Sequence, residues 1–233
     1  MTDQDALLRA VCEAPEDNAP RLIYADWLDE HGDPMQAEFI RQHIAMGPRQ
    51  LQWWGDREAA PIRGLWNPGK WRFVIGDWLR YSEALVDRGF HTKWSGSLAR
   101  FVELLPTWWR FGPVTELDLD FEARFTCTAE SAAKCGGLTQ LTRLSGVTLR
   151  GRYLTDEWIE FFVASPEARN WRHVELTGGK FVTDRACEVL AASPLARSDA
   201  RVWVVYPGLT RNAREILDQA FPDDRAYASR RPG

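Results

Sequence analysis

Val174-Glu175-Leu176, with Thr183-Asp184 seven residues further on, is one of four near-copies of a single pattern in this 233-residue chain. Each copy has a short run with alternating apolar residues, and then an apolar residue and a threonine that open a helical stretch. The runs are Leu117-Asp118-Leu119, Val147-Thr148-Leu149, Val174-Glu175-Leu176 and Val202-Trp203-Val204, and the openers are Phe125-Thr126, Leu154-Thr155, Val182-Thr183 and Leu209-Thr210. The period is about 28 residues, which predicts an α/β fold with one strand and one helix per repeat.

This period and strand-then-helix order resemble leucine-rich repeats. The resemblance implies a short solenoid over residues 89–222, with parallel strands on one side and helices on the other. We expect about five units, the first a divergent one with a strand at 89–94. One departure concerns the turn after each strand, where leucine-rich repeats place asparagine or cysteine. The corresponding residues here are Glu122, Arg152, Gly179 and Pro207, so the usual ladder of turn-bonding side chains is absent.

The first 47 residues predict a separate module of three helices. Thr2 or Asp3 can cap the first helix, Pro20 suits the first turn of the second, and Gly32 suits its left-handed C-terminal position. Asp33-Pro34 opens the third helix. The predicted core residues are Tyr24, Trp27, Leu28, Phe39 and Ile40.

The run Asn18-Ala19-Pro20-Arg21-Leu22-Ile23-Tyr24-Ala25-Asp26-Trp27-Leu28-Asp29-Glu30-His31-Gly32-Asp33-Pro34, followed by Ala37-Glu38-Phe39-Ile40-Arg41-Gln42, identifies this module more closely. It resembles the repeat-companion domain, a small helical family that precedes degenerate leucine-rich repeats in bacteria. The resemblance covers residues 4–44, and Arg88-Gly89-Phe90 is similar to the step at which such proteins enter their repeats. It implies an architecture and carries over no catalytic residue.

Several acidic residues of the module could form a metal or acid–base site with His31. They are Asp26, Glu30, Asp33 and Glu38. We favour a solvated ion-pair network instead, with Asp26 holding Arg21 or Arg41, because surface carboxylates are far more often solvated than catalytic. No phosphate-binding loop, dinucleotide-binding glycine pattern, nucleophile elbow or zinc-protease motif occurs, so we predict no enzymatic activity, cofactor or metal.

Composition and charge favour a folded protein of the cytoplasm. The chain is 45% hydrophobic and 27% charged, with no apolar run of membrane-spanning length and no signal-like N-terminus. Residues 1–47 hold ten acidic residues against three arginines, whereas the rest is mildly basic. Four scattered cysteines, Cys12, Cys127, Cys135 and Cys187, predict small buried or half-buried thiols and neither disulfides nor a zinc site.

Residues 48–88 form a connector that holds five of the twelve tryptophans. Trp71 and Trp78 are expected to help cap the open end of the repeats. Trp53, Trp54 and Trp66 are candidate anchors for a partner, since tryptophan is enriched in interface hot spots, and base stacking beside the connector's arginines is a further alternative. We expect a flexible tail over residues 223–233.

Alternation along the strands predicts which side chains leave the core on the inner face of the sheet. They form three rows, one with Lys93, Asp118, Thr148, Glu175 and Trp203, one with Ser95, Asp120, Arg150, Thr177 and Val205, and one with His91, Glu116, Gly146, His173 and Arg201. Trp203 and Val205 are expected as an apolar patch on the final strand, either a contact site or an edge covered by the C-terminal helix.

The candidate binding residues for another protein are therefore Lys93, Asp118, Asp120, Thr148, Arg150, Glu175, Thr177, Trp203 and Val205, with Trp53, Trp54 and Trp66 of the connector. The sequence predicts a non-enzymatic adaptor or recognition subunit that uses the concave face. The alternative is a structural subunit of a larger assembly, with nucleic acid only as part of that assembly and the connector at the joint. A hydrolase using the N-terminal acids is the third hypothesis. No membrane partner is expected.

Overall fold

The computed structural model describes residues 2–45, 86–104, 112–122, 143–222 and 225–229. The chain divides into two compact units, the first comprising Met1–Trp94 with Thr107–Val114 and the second Ser95–Pro106 with Thr115–Gly233. Trp53, Trp54 and Trp66 lie outside the described residues, as do the other connector tryptophans. Cys127, Cys135 and the helix predicted at 129–134 also lie outside them.

Three helices make up the described N-terminal part of the first unit: α1 (Asp3–Glu13), α2 (Ala19–Glu30) and α3 (Pro34–Ala45). Thr2 caps α1 as predicted. Its hydroxyl accepts from the Asp5 amide at 3.2 Å while the Asp5 carboxylate accepts from the Thr2 amide, which is a capping box. Gly32 has a φ of +86° just after α2, so the predicted left-handed helix end is confirmed.

The helices enclose a core that includes the predicted Tyr24, Leu28 and Ile40, with Trp27 partly buried against it. Phe39 is also buried, at 1% exposure. Arg41 binds both Asp26 and Asp29, at 2.7 and 2.6 Å. The predicted ion-pair network therefore exists, and Arg41 is its positively charged residue.

Arg88-Gly89-Phe90 packs against this same core and does not begin the repeat sheet. Strands β1 (Val86–Asp87) and β2 (Phe90–His91) pair antiparallel around a two-residue loop whose φ angles are +46° at Arg88 and +84° at Gly89. Positive φ at both positions is what a type I′ hairpin needs. Phe90 joins the helical core, 5.9 Å from the Tyr24 ring, so the strand predicted at 89–94 is wrong in its first half.

A six-stranded sheet runs in chain order: β3 (Lys93–Ser97), β4 (Glu116–Asp120), β5 (Gly146–Gly151), β6 (His173–Gly178), β7 (Arg201–Val205) and β8 (Ala226–Ser229). All of it except Lys93 and Trp94 belongs to the second unit. Every pairing from β4 to β8 is parallel. The predicted α/β class with a parallel sheet is confirmed.

Helices alternate with the strands of this sheet along the chain. They are α4 (Leu98–Leu104), α5 (Asp156–Val163), α6 (Asp184–Ala192) and α7 (Arg211–Ala220), with short 3₁₀ helices at Pro166–Asn170 and Pro194–Arg197. Thr155, Thr183 and Thr210 occupy the N-cap positions, as predicted for the first two. Thr183 and Thr210 accept amide hydrogen bonds there, whereas Thr155 makes no such bond.

The core of the second unit comes from the repeated apolar pairs. Leu117, Val147, Val174 and Val202 lie side by side in register, and so do Leu119, Leu149, Leu176 and Val204. All eight are at most 1% exposed. Burying each such side chain contributes roughly 1.5–3 kcal/mol before entropy is counted, so the two rows stabilise the sheet.

Two expectations about the C-terminal end are wrong. Residues 226–229, in the segment expected to be a flexible tail, form β8 and pair with β7. The strand that holds Val204, β7, is therefore an inner strand. Its edge is covered by β8 and not by the C-terminal helix. No helix in the described ranges is long and apolar enough to cross a membrane.

Candidate functional site

The three predicted rows of outward side chains exist from β4 to β7. Register pairs Asp118 with Thr148, Thr148 with Glu175, and Glu175 with Trp203. The two flanking rows, from Asp120 to Val205 and from Glu116 to Arg201, are paired in the same way. The alignment is confirmed, while its role in binding stays a prediction.

Solvent reaches the rows unevenly. Thr148, Glu175 and Trp203 are half-buried, as are Arg150, Thr177 and Val205. Asp118, by contrast, is only 6% exposed, and Ser95 on β3 is 5% exposed. These two were predicted to face solvent, and the prediction is wrong for them, whereas Glu116 and Asp120 at the ends of β4 are half-buried like most row residues of β5, β6 and β7.

Asp118 is compensated by charge. The Nε of Arg150 lies 3.2 Å from its Oδ1, on the neighbouring strand. Asp120 is less buried, and its carboxylate accepts from the Glu122 amide at 2.8 Å. Burial raises the pKa of the Asp120 carboxyl above its ordinary value, and the nearby Glu122 and Asp118 charges act in the same direction. Asp118 is thus held within the sheet by Arg150, and the binding role predicted for Asp118, Asp120 and Arg150 stays a prediction.

His91 is not part of any row. It lies in β2, paired with Val86 in the hairpin of the first unit. Lys93 begins β3 and is half-buried, so it remains on the sheet. The rows are therefore shorter at their N-terminal end than predicted.

A cleft of about 940 Å³ opens where β6 and β7 begin. Its walls come from the end of the 3₁₀ helix before β6, from the residues that lead into β6 and β7, and from side chains of both strands. The lining residues are Arg169, Asn170, Trp171, Arg172, His173, Glu175, Asp199, Arg201, Trp203 and Val205. Five of them belong to the predicted rows: His173, Glu175, Arg201, Trp203 and Val205.

The aromatic wall of this cleft comes from two strands, with His173 on β6 and Trp203 on β7. The imidazole of His173 lies directly over Gly146, where an added Cβ would be 2.1 Å from Cε1. On its other side the His173 ring meets the Trp203 ring edge to face, with centroids 6.3 Å apart and planes at 74°. Gly146 thus provides the space in which His173 sits, and the arrangement is of the kind favoured by aromatic pairs.

The charged side chains of the cleft differ in their partners. Glu175 accepts from the Thr177 hydroxyl at 3.0 Å. Among the described residues, Arg169, Arg172 and Arg201 form no ion pair within 4 Å, although all three are exposed. Sequence reasoning missed Arg169, Arg172 and Asp199. The matching Ala164-Ser165-Pro166 and Ala192-Ser193-Pro194 segments were the available signal, because each opens a 3₁₀ turn that returns the chain to the start of a strand.

Groups of three or more histidine, cysteine or acidic side chains that could hold a metal ion are not found in the described part of the chain. The His31 ring stacks on Trp27 at 4.1 Å, and its Nδ1 lies 2.7 Å from the Trp27 carbonyl. These contacts hold the ring of His31, the C-cap residue of α2, against that helix.

The buried thiols are those expected. Cys12 and Cys187 are free and are 2% and 0% exposed. Cys187 Sγ lies 3.7 Å from the Tyr206 hydroxyl, which donates to the Thr183 carbonyl at 3.1 Å. Burial raises the pKa of the Cys187 thiol to about 11, which makes it a poor nucleophile at neutral pH.

Comparison of the chain with protein-family models, curated proteins and solved structures returned no match.

Proposed function

We propose that this protein is a non-enzymatic recognition subunit of the cytoplasm that binds another protein on the concave face of a degenerate leucine-rich-repeat solenoid. The N-terminal helices would then be the repeat-companion module that its sequence resembles. One observation supports this proposal above the others. The described sheet arranges polar and aromatic side chains in register over neighbouring parallel strands, and their half-buried state leaves them accessible.

This arrangement suits binding better than catalysis. The cleft at β6 and β7 offers Glu175, His173 and Trp203 on a rigid sheet, and rigid elements position contact residues at low entropic cost. Tryptophan and arginine, both present there, are the residues most enriched in binding hot spots. A nucleophile with an adjacent general base is not among its lining residues.

The test is affinity capture from the native host with the tagged full-length protein. Glu175→Ala with Trp203→Ala should abolish capture of the specific partner, while Glu188→Ala with Arg211→Ala, on the helices, should leave it intact. Capture that persists in the first double variant contradicts the proposal. Loss of capture on substitution of Trp53, Trp54 and Trp66 instead would favour the structural-subunit alternative.

A further inference from the structure

We propose that the segment bound in the cleft is an acidic stretch of the partner protein, whose carboxylates pair with Arg169, Arg172 and Arg201. This inference rests on the proposed function, since it names the chemistry of the partner at that same face. It is argued from the charge left unpaired in the cleft, from the two carboxylates beside it, and from the aromatic wall.

First, three arginines without an ion pair among the described residues line the same cleft, whereas others without one, such as Arg152, lie outside it. Arg41, Arg88, Arg100, Arg150, Arg185 and Arg211 each lie within 4 Å of a carboxylate in the same unit. The three arginines of the cleft have no such partner among the described residues and converge on one concavity. Guanidinium groups bind carboxylates through paired, charge-assisted hydrogen bonds, and unpaired ones are available for a partner's acids.

Their convergence follows from the strand register. His173 and Arg201 are directly paired, and the Arg201 amide donates to the Arg172 carbonyl at 2.8 Å. Arg172 therefore immediately precedes β6 and Arg201 begins β7, and adjacent strands lie about 4.8 Å apart in a sheet. Arg169 closes the cleft from the preceding 3₁₀ helix. Such spacing matches successive acidic side chains better than a single isolated anion.

The second step distinguishes a protein segment from a nucleic acid. Glu175 and Asp199 line the same cleft, so its arginines exceed its carboxylates by one. A phosphate backbone carries a negative charge at every residue and would meet these two acids at close range. A peptide places neutral positions and backbone N–H donors between its carboxylates, and Glu175 can accept from those donors.

The third step concerns the apolar part of the cleft. Trp203 and Val205 are half-buried, and the His173 ring is held against Trp203 and over Gly146. A preformed aromatic surface beside a basic one favours an acidic segment that also carries an apolar residue. The proposal therefore specifies acidic residues next to one leucine or phenylalanine.

The experiment measures fluorescence anisotropy of the full-length protein with a labelled peptide of about ten residues, long enough to cross several strands. The peptide contains glutamates around one leucine, and its matched control replaces each glutamate by glutamine. The test variant is Arg169→Gln with Arg172→Gln and Arg201→Gln. The control variant is Arg152→Gln with Arg185→Gln and Arg211→Gln, which changes the net charge equally at exposed sites outside the cleft. Circular dichroism verifies that both variants fold.

We expect the cleft variant to bind the acidic peptide with an affinity lower by roughly tenfold or more. The control variant should lower the affinity by less than about threefold. The glutamine peptide should bind at least about tenfold more weakly than the acidic one. Equal effects of the two variants, or equal affinity for the two peptides, overturn the proposal. So does a single-stranded RNA that binds more tightly than the peptide through the same arginines, or self-association that the cleft variant abolishes.

The outcomes keep the two proposals separate. If capture of the partner depends on Glu175 and Trp203 but not on the three arginines, the proposed function stands and the proposal of an acidic segment is refuted. Peptide binding that depends on the arginines, with a partner that contacts the helical side, supports the cleft and contradicts the proposed function.

Discussion

Asp156 and Thr183, 27 residues apart in the chain, are joined by two hydrogen bonds. The Thr183 amide donates to Oδ1 at 2.9 Å and its hydroxyl donates to Oδ2 at 2.6 Å. Asp184 and Thr210 repeat the relationship one unit further along, through the same two donors. We call these four residues the Thr-Asp ladder. It links the N-termini of α5, α6 and α7.

The first prediction is that Asp184→Ala lowers the free energy of unfolding by about 1–3 kcal/mol, because it leaves the Thr210 amide and hydroxyl without their acceptor. The measurement is urea denaturation. Glu188→Ala, at an exposed site on the same helix, serves as the control and should change stability by less than about 0.5 kcal/mol. Equal effects of the two substitutions would show that the ladder contributes nothing.

The second prediction compares two left-handed glycines of the first unit. A Cβ at Gly89 would lie 2.7 Å from the Ile40 Cα, whereas a Cβ at Gly32 meets nothing within 4 Å. Both have positive φ, so both alanine variants carry a backbone cost of about 1–2 kcal/mol. Gly89→Ala adds the collision and should cost about 1–3 kcal/mol more. Hydrogen exchange of α2 measures the difference, and similar protection in the two variants would refute the packing of the hairpin on this core.

The third prediction concerns Gly146 and His173. Gly146→Ala should destabilise the protein by about 1–3 kcal/mol, because the new methyl group occupies the position of the imidazole. In a His173→Ala background the same substitution should cost less than about 0.5 kcal/mol, since the colliding ring is gone. A double-mutant cycle by urea denaturation measures the coupling. Additive effects would mean that His173 does not lie over Gly146.

The fourth prediction is a loss of stability at alkaline pH. Burial raises the pKa of the Cys187 thiol from 9.0 to about 11, and burial also raises the pKa of Tyr206, which adjoins Cys187. Between these pH values the unfolded thiol has lost its proton while the native thiol keeps it. The native state therefore binds more protons, and the free energy of unfolding falls as the pH rises, by about 1–3 kcal/mol from Cys187.

The check is urea denaturation at about pH 8 and about pH 10.5, on either side of the ordinary thiol pKa. Cys187→Ala should reduce the alkaline loss measurably, and Tyr206→Phe with it should reduce the loss further. Cys12→Ala is the matched substitution at the other buried cysteine of the described residues. An alkaline loss unchanged by Cys187→Ala would contradict the origin assigned to it.

The sequence predicted the strand rows because their signal is local and repeated. Alternation fixes which side of a strand is buried, so Val174, Leu176 and their counterparts could be aligned by period alone. The N-caps Thr155 and Thr183 were readable for the same reason. The three-helix module was readable from Thr2, Pro20 and Gly32, each of which has one preferred position in a helix.

What the sequence did not reveal depends on contacts between distant residues. The hairpin at Arg88-Gly89 looks like the start of a strand until its packing on Ile40 is known. The burial of Asp118 requires the position of Arg150, and β8 carries too short an apolar pattern to be distinguished from a tail. Arg201 was predicted in a row, but Arg169 and Arg172 precede β6, where no periodic pattern constrains them, so only the fold brings the three arginines together.

Site-specific photo-crosslinking tests the central claim most directly. A crosslinking amino acid at Thr148 or Thr177 lies on the open face of the sheet, and one at Glu160 or Glu188 lies on the helices. The account predicts that a partner protein in the native host is crosslinked from the first two positions and not from the second two. Crosslinks confined to Glu160 and Glu188 would contradict it.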